Sequence, residues 1–156
     1  MLVEQITEID NNVFDTIYDA NSVSIVENTG YDNKEFLRKT FNSLQDNFYL
    51  FSFTDNDEVV GYVQGYSNGT TLAVYNSVTK STDVFVYAVT NSASILKSLG
   101  FSHLQVACTN GTPMHNWTKA SCNRTDLFEY ESESEQETFI AVRLRILWVG
   151  LLQKIY

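Results

Sequence analysis

Two histidines, two cysteines and a short acidic run are the side chains that most readily do chemistry in this sequence, and their spacing excludes several reactions. His103 falls in a strand-like segment and His115 in a short helical one, and neither has an acidic or cysteine partner at catalytic spacing. Both read as structural or surface residues. No Gly-x-Ser-x-Gly elbow is present, so a serine-hydrolase triad has no sequence basis. Cys108 and Cys122 form no Cys-x-x-Cys pair, and no histidine stands at zinc-finger spacing from them; reduced structural thiols are expected. Asp55, Asp57 and Glu58 form an acidic turn able to attract an amine, but it lacks the glycine and ligand spacing of a calcium loop. A solvated turn is expected there.

The 156 residues are 44% hydrophobic, enough for one buried core, so residues 1–156 are read as a single domain with an apolar tail over 147–156. A formal charge of −9 argues against a nucleic-acid partner, because that affinity rests on many Lys and Arg contacts with phosphate. A basic or polyamine-like partner is electrostatically easier. Met1 to Gln5 lacks the basic start and apolar core of a secretory signal, which predicts a cytoplasmic location. The stretch Ile146 to Leu152 is far shorter than the roughly 20 residues a membrane crossing needs, so no membrane contact is expected. An exposed run of Leu and Trp seldom stays solvated, and the tail is a candidate homodimer contact.

The elements that must position any site can be read from periodicity and caps. Leu2 to Ile6 is β-prone, and Asp10-Asn11-Asn12 are capping types ahead of Val13, Phe14, Ile17 and Tyr18 at helical spacing. Tyr31-Asp32-Asn33 leads into Phe36, Leu37, Thr40, Phe41 and Leu44 on one face of a second helix, with Lys34, Glu35, Arg38 and Lys39 on its polar face. Phe48 to Phe53 and Val59 to Tyr66 flank the acidic run as a hairpin, Asn68-Gly69 makes a further turn, and Leu72 to Tyr75 restarts a strand. Residues Thr82 to Leu99 have β propensity locally but a helical pattern overall. Val84, Phe85, Ala88, Val89, Ser92, Leu96 and Leu99 share a face, Ser81 or Thr82 can cap the start, and Gly100 sits where a terminating glycine belongs. Phe101 to Cys108 reads as a strand, Pro113 to Ala120 as a short helix and Leu127 to Tyr130 as a strand. Glu131 to Glu137 reads as a like-charged connector, and Thr138 to Ile146 as a last strand.

The resulting order is strand, two helices, three strands, helix, strand, helix, two strands, and it resembles the GNAT N-acetyltransferase superfamily along the whole chain. A residue-level match accompanies it. Many members carry an Asn ending the fifth strand, then a small residue, an aromatic, a Lys and a Gly-Phe pair; those offsets hold Asn110, Pro113, Trp117, Lys119 and Ser121-Cys122 here. Trp117 replaces the usual Tyr, and the Gly-Phe pair is lost. The family's Arg-Gly-x-Gly-x-Gly/Ala loop falls on Lys80-Ser81-Thr82-Asp83-Val84-Phe85, where only the leading basic residue survives.

The resemblance implies an α/β (α+β) fold, a mixed central sheet of about six or seven strands flanked by about four helices. It implies acetyl-CoA as cofactor, lying between the fourth and fifth strands, and a small amine or a protein amine as acceptor. Val74 to Ser77 would then border the reaction centre. The stretch from Lys80 through Ser81, Thr82 and Asp83 to Val84 would face the pyrophosphate, where a helix N-terminus favours an anion but Asp83 opposes it. Asn110 would order a water or the pantetheine arm, or simply form an Asn-Gly turn. An acid for the departing thiolate is normally a Tyr in such enzymes. Trp117 cannot supply that proton, which leaves Tyr75 or Tyr87, each also suited to a core position. The alternative is a phage-encoded or regulatory module on the same fold that binds or assembles without catalysis.

Overall fold

The computed structural model describes residues 2–29, 33–111, 114–123 and 126–147, apart from the side chains of some helical positions. After β1 (Leu2–Ile6) the chain enters α1 (Asn11–Thr29), where the Asp10 carboxylate accepts from the amides of Asn12 and Val13 at 3.0 and 3.3 Å. The helix kinks at Asn21, whose backbone leaves the helical region (φ −130°) while its side-chain amide donates to the Ile17 carbonyl.

Helix α2 (Lys34–Asn42) starts at Asn33, whose side chain accepts from the Phe36 amide. Leu37 and Phe41 are its buried pair, and Phe36, expected beside them, is exposed. The helix ends before Leu44, which packs against the same cluster from the following loop. Arg38 ion-pairs with Asp15 of α1, and Lys34 with Asp19 at 2.7 Å, so the polar face predicted for α2 docks on α1.

Strands β2 (Phe48–Asp55) and β3 (Glu58–Asn68) form the expected hairpin around a two-residue turn. β4 (Thr71–Thr79) follows, and helix α3 (Thr82–Ser98) carries the chain over to β5 (His103–Thr109). Ambiguous by propensity, 82–98 is helical because Ala88, Val89, Ala93 and Leu96 bury one face on the sheet. Gly100 at φ +90° ends it, and the Phe101 amide returns to the Leu96 carbonyl at 3.0 Å. Helix α4 (Met114–Asn123), β6 (Phe128–Glu135) and β7 (Phe139–Ile146) complete the order.

The seven strands lie in the order β1-β2-β3-β4-β5-β7-β6, and every neighbouring pair is antiparallel except β4 and β5. One face buries Phe51, Val63, Leu72, Val106, Val142 and Leu144 under α3. The other buries Leu50, Tyr62 and Val78 under Phe14, Tyr18, Leu37 and Phe41 of α1 and α2. The mixed sheet with four helices is the fold class that the sequence predicts.

Glu131 to Glu137 is not the connector expected from its charge. Through Glu135 it is the edge strand β6, because its carboxylates meet basic side chains from other elements. Glu129 pairs with Arg145 at 2.8 Å, Glu131 with Arg143 at 3.5 Å and His103 at 2.7 Å, and Glu133 with His115 at 2.6 Å. A charged edge also resists pairing with a foreign strand. Both histidines therefore have the carboxylate partners that sequence spacing does not reveal.

The hairpin turn holds Asn56 at φ 50° and Asp57 at φ 64°, the left-handed pair of a type I′ turn. Glycine occupies that region without a Cβ penalty. Asp57→Gly is expected to raise stability by about 0.5–1 kcal/mol, read as a higher urea midpoint; a lower midpoint would contradict the left-handed turn.

Candidate functional site

The parallel pairing of β4 with β5 covers only Thr71–Val74 against His103–Val106, although both strands continue beyond it. The cause lies on the other edge of β4. There Gln64 pairs with Asn76 and Gly65 with Val74, which leaves Tyr75 as an extra residue bulged out of the β3–β4 ladder. A bulge bends its strand and increases its twist. β4 consequently follows β3 away from β5, and β5 stays paired along its whole length with β7.

The splayed strands enclose a cleft of about 300 Å³. Tyr66, Val74, Tyr75, Asn76 and Ser77 line it from β3 and β4, Gln105, Ala107 and Thr109 from β5, Thr138 from the turn before β7 and Phe139 from its first position. Among the described residues, none of the lining side chains is charged. A second, smaller void of about 30 Å³ lies under α3 among Phe51, Leu72, Val89 and Leu96, and is a packing defect of the core.

Two groups of side chains shape the cleft on the face that α1 and α2 partly cover. Phe48, Tyr66 and Tyr75 are in mutual ring contact, with centroids 5.8–6.3 Å apart in tilted and edge-on arrangements. Beside them, fully buried Gln64 donates to the Thr40 carbonyl at 2.9 Å and accepts from the side-chain amide of Asn76 at 3.3 Å. A carbonyl can only accept, so the orientation of Gln64 follows from Thr40, and that of Asn76 from Gln64.

Of the residues singled out in the sequence, Val74 and Tyr75 line the cleft. Lys80 and Ser81 lie beyond the end of β4, at the start of α3, where a helix was expected and is found. Lys80 is paired with Glu58 at 3.1 Å, and the Ser81 hydroxyl accepts from the Val84 amide at 3.3 Å. Val84 packs against the core rather than facing the cleft. Asn110 sits in the turn after β5 with Gly111 at φ +80°, and its side-chain amide donates to the Glu137 carbonyl at 3.3 Å. The side chains of Thr82, Asp83, Tyr87 and Trp117 lie outside the described structure, as do Pro113 and residues 148–156 of the tail.

Sequence reasoning missed Tyr66, Gln105, Ala107, Thr109, Thr138 and Phe139. A signal existed for β5, where Leu104, Val106 and Cys108 alternate with Gln105, Ala107 and Thr109, a face too polar and small for a core.

Other reactive groups lie outside the cleft lining. Burial pushes the Cys108 thiol up to about 11, and it raises Cys122 as well, so neither is a thiolate near neutrality. Ser102, His103 and Glu131 form a hydroxyl–imidazole–carboxylate chain with both contacts at 2.7 Å; Ser102 also bonds the Thr70 hydroxyl at 3.0 Å, tying β5 to β6 and to the β3–β4 turn. Hydrogen bonding from His115 holds the Glu133 carboxyl below its ordinary range. Among the described residues no cluster of His, Cys, Asp or Glu could hold a metal ion, and no helix is long and apolar enough to cross a membrane.

No protein-family model and no curated protein sequence matches the chain. Solved structures do. An aminoglycoside 6′-acetyltransferase of type Ii aligns over 92% of this chain and 95% of its own, with 12% identity and a TM-score of 0.59. The aminoglycoside acetyltransferase AAC(6′)-Ib in complex with coenzyme A aligns over 92% and 93%, at 14% identity and a TM-score of 0.65. A ribosomal-protein-alanine N-acetyltransferase from Brucella melitensis aligns over 94% and 100%, at 14% identity and a TM-score of 0.58. The fold is thus the GNAT acetyltransferase fold, and at these identities the fold is what is shared.

The bulge requires β3 and β4 to approach closely at Gly65, where a Cβ would stand 2.8 Å from the Ala73 carbonyl oxygen. Gly65→Ala is expected to destabilise by about 1–3 kcal/mol, measured by chemical denaturation. A neutral result would mean that the ladder beside the bulge can relax.

Proposed function

We propose that this chain is a divergent member of the GNAT superfamily, an acetyl-CoA-dependent N-acyltransferase that modifies a small amine or a protein amine. The observation that carries this reading is the uncharged cleft between β4 and β5, opened by the bulge at Tyr75 in a fold shared with acetyltransferases.

The residues present suit the cofactor at both ends, unequally. A pantetheine arm is neutral and amide-rich, and the cleft offers uncharged walls and the β5-facing edge of β4, which beyond Val74 has no strand beside it. The phosphates are met more sparingly. The N-terminus of α3 gives a favourable dipole and Lys80 one cation, but Ser81 already occupies the Val84 amide and Glu58 holds Lys80. Acetyl-CoA supplies the thioester carbonyl. The chain's own contribution is to exclude charge from the cleft, to align the acceptor along β4, and to place a phenol, Tyr75, within the lining as proton donor to the departing thiolate. Val74 and Tyr75 would border the thioester carbonyl, and Asn110 would follow from the turn after Thr109, the last β5 residue of the lining.

Lys80 and Glu58 are both exposed, and such pairs contribute little to stability. The cost of releasing Lys80 to a phosphate is correspondingly small. The engagement of Lys80 and Val84 within the chain itself favours the second reading, a binding or assembly module without catalysis.

Calorimetric titration with acetyl-CoA separates the two. Binding at micromolar to sub-millimolar concentration is expected, weakened by Lys80→Ala and strengthened roughly two- to fivefold by Glu58→Gln, which removes the competing partner. Tyr75→Phe is expected to lower kcat about 10²-fold or more while leaving acetyl-CoA binding intact. Absence of binding at millimolar cofactor would exclude the transferase and leave the module.

A further inference from the structure

We propose that the acceptor is a monoamine carried on an aromatic body, held by the Tyr66–Tyr75 wall of the cleft and by the side-chain carbonyl of Asn76. The proposal rests on the acyltransferase reading for the fate of the amine, but not for its binding.

Three observations converge on it. The first is charge. The chain bears a net −9, yet among the described residues none that lines the cleft is Asp or Glu. An acceptor with several ammonium groups would have to shed their hydration there without counter-ions, and desolvating an unpaired charge is strongly unfavourable. An amine with one nitrogen can enter as the neutral base.

The second is the aromatic wall. Tyr66 and Tyr75 line the cleft, and Phe48 backs them. Tyr62 and Gln64 of β3 face α1 and α2, and by strand alternation Tyr66 lies on their side of the sheet. On β5 the same face carries Gln105, Ala107 and Thr109, small or polar side chains that leave the opposite wall low. Tyr66 keeps 37% of its surface exposed, the most of the three rings, so one ring surface remains for a ligand to cover. A flat apolar body set against it gains burial and ring contact together.

The third is Asn76, which is 97% buried but lines the cleft. Thr40 dictates the orientation of Gln64, and Gln64 takes the NH2 end of Asn76, so the Asn76 Oδ1 atom is turned away from both. Oδ1 has no hydrogen-bond partner among the described residues. It can only accept. A neutral primary amine donates one N–H to it and keeps its lone pair for the acyl carbon, whereas a carboxylate at this position would hold the amine as an ammonium with no lone pair to give.

The probes are tyramine, spermidine and kanamycin, which present one aromatic amine, a linear polycation and a bulky polycation. Binding is measured by ligand-observed NMR without cofactor, and turnover with acetyl-CoA by thiol release. Tyramine is expected to bind at least tenfold more tightly than either polycation, and Tyr66→Ala to weaken it about tenfold. Tyr66→Phe should retain the binding. Asn76→Asp is expected to lower kcat for tyramine without raising KM and to move the pH profile of kcat/KM upward, a change that a purely structural role for Asn76 would not produce. Preference for spermidine or kanamycin, or indifference of tyramine binding to Tyr66→Ala, would overturn the proposal. Should acetyl-CoA fail to bind while tyramine binds through Tyr66, the transferase reading falls and this site stands.

Discussion

Between Gln64 and Gly65 the β3–β4 ladder slips by one residue, and the extra residue, Tyr75, is what separates β4 from β5. Sheet hydrogen bonding is cooperative along a strand, so a strand that bends to follow one neighbour must leave the other. β5 is held by seven paired positions with β7, and β4 remains paired with β3 to Thr79; the parallel pairing between them, four positions long, is the weakest seam of the sheet. The cleft opens there for that reason. Gly65 makes the slip sterically possible, since any Cβ would meet the Ala73 carbonyl oxygen. Everything assigned to the site, from the aromatic wall to the orientation of Asn76, depends on where that single residue is inserted.

The electrostatic design is one of segregation. Acidic residues dominate the chain, but on β6 they are matched by Arg143, Arg145, His103, His115 and Lys119, and on α1 by Lys34 and Arg38. Exposed pairs of this kind add little stability one by one. Their larger effect is to satisfy an edge strand that would otherwise be a run of repelling carboxylates, and to leave the cleft as a neutral strip between charged borders. A neutral channel suits the proposed reaction between an uncharged amine and a thioester, because both reactants lose least on leaving water.

The start of α3 shows the opposite tendency. Polar groups there are engaged within the chain: Ser81 caps its own helix, and Lys80 reaches back to Glu58 of the hairpin. The helix gains a cap worth about 1 kcal/mol, and any phosphate must compete with contacts already made. Those contacts are each small in free energy, so they weaken the proposed cofactor site without closing it.

Local signals sufficed for much of the architecture. Asp10, Asn33 and Ser81 cap the helices they precede, Gly100 ends α3, the spacing of Leu37 and Phe41 marks the buried side of α2, and the alternation of β7 separates Arg143 from Val142. These effects act over a few residues, so the linear chain contains them in full, and with them the element order that resembles the acetyltransferase fold. The site was less legible. Tyr66 and Phe139 join the cleft only because β3 and β7 flank it, Glu131 finds His103 across 28 residues of chain, and Asn76 acquires its orientation from Thr40 by way of Gln64. Strand register decides each of these contacts. Register is set by which long-range pairing buries the most apolar surface with the fewest broken hydrogen bonds, a comparison among whole sheets that no stretch of sequence makes by itself. What the chain determined alone was therefore its helices, its faces and their order; where the sheet parts, and which side chains look into the gap, was settled only when all seven strands were in place.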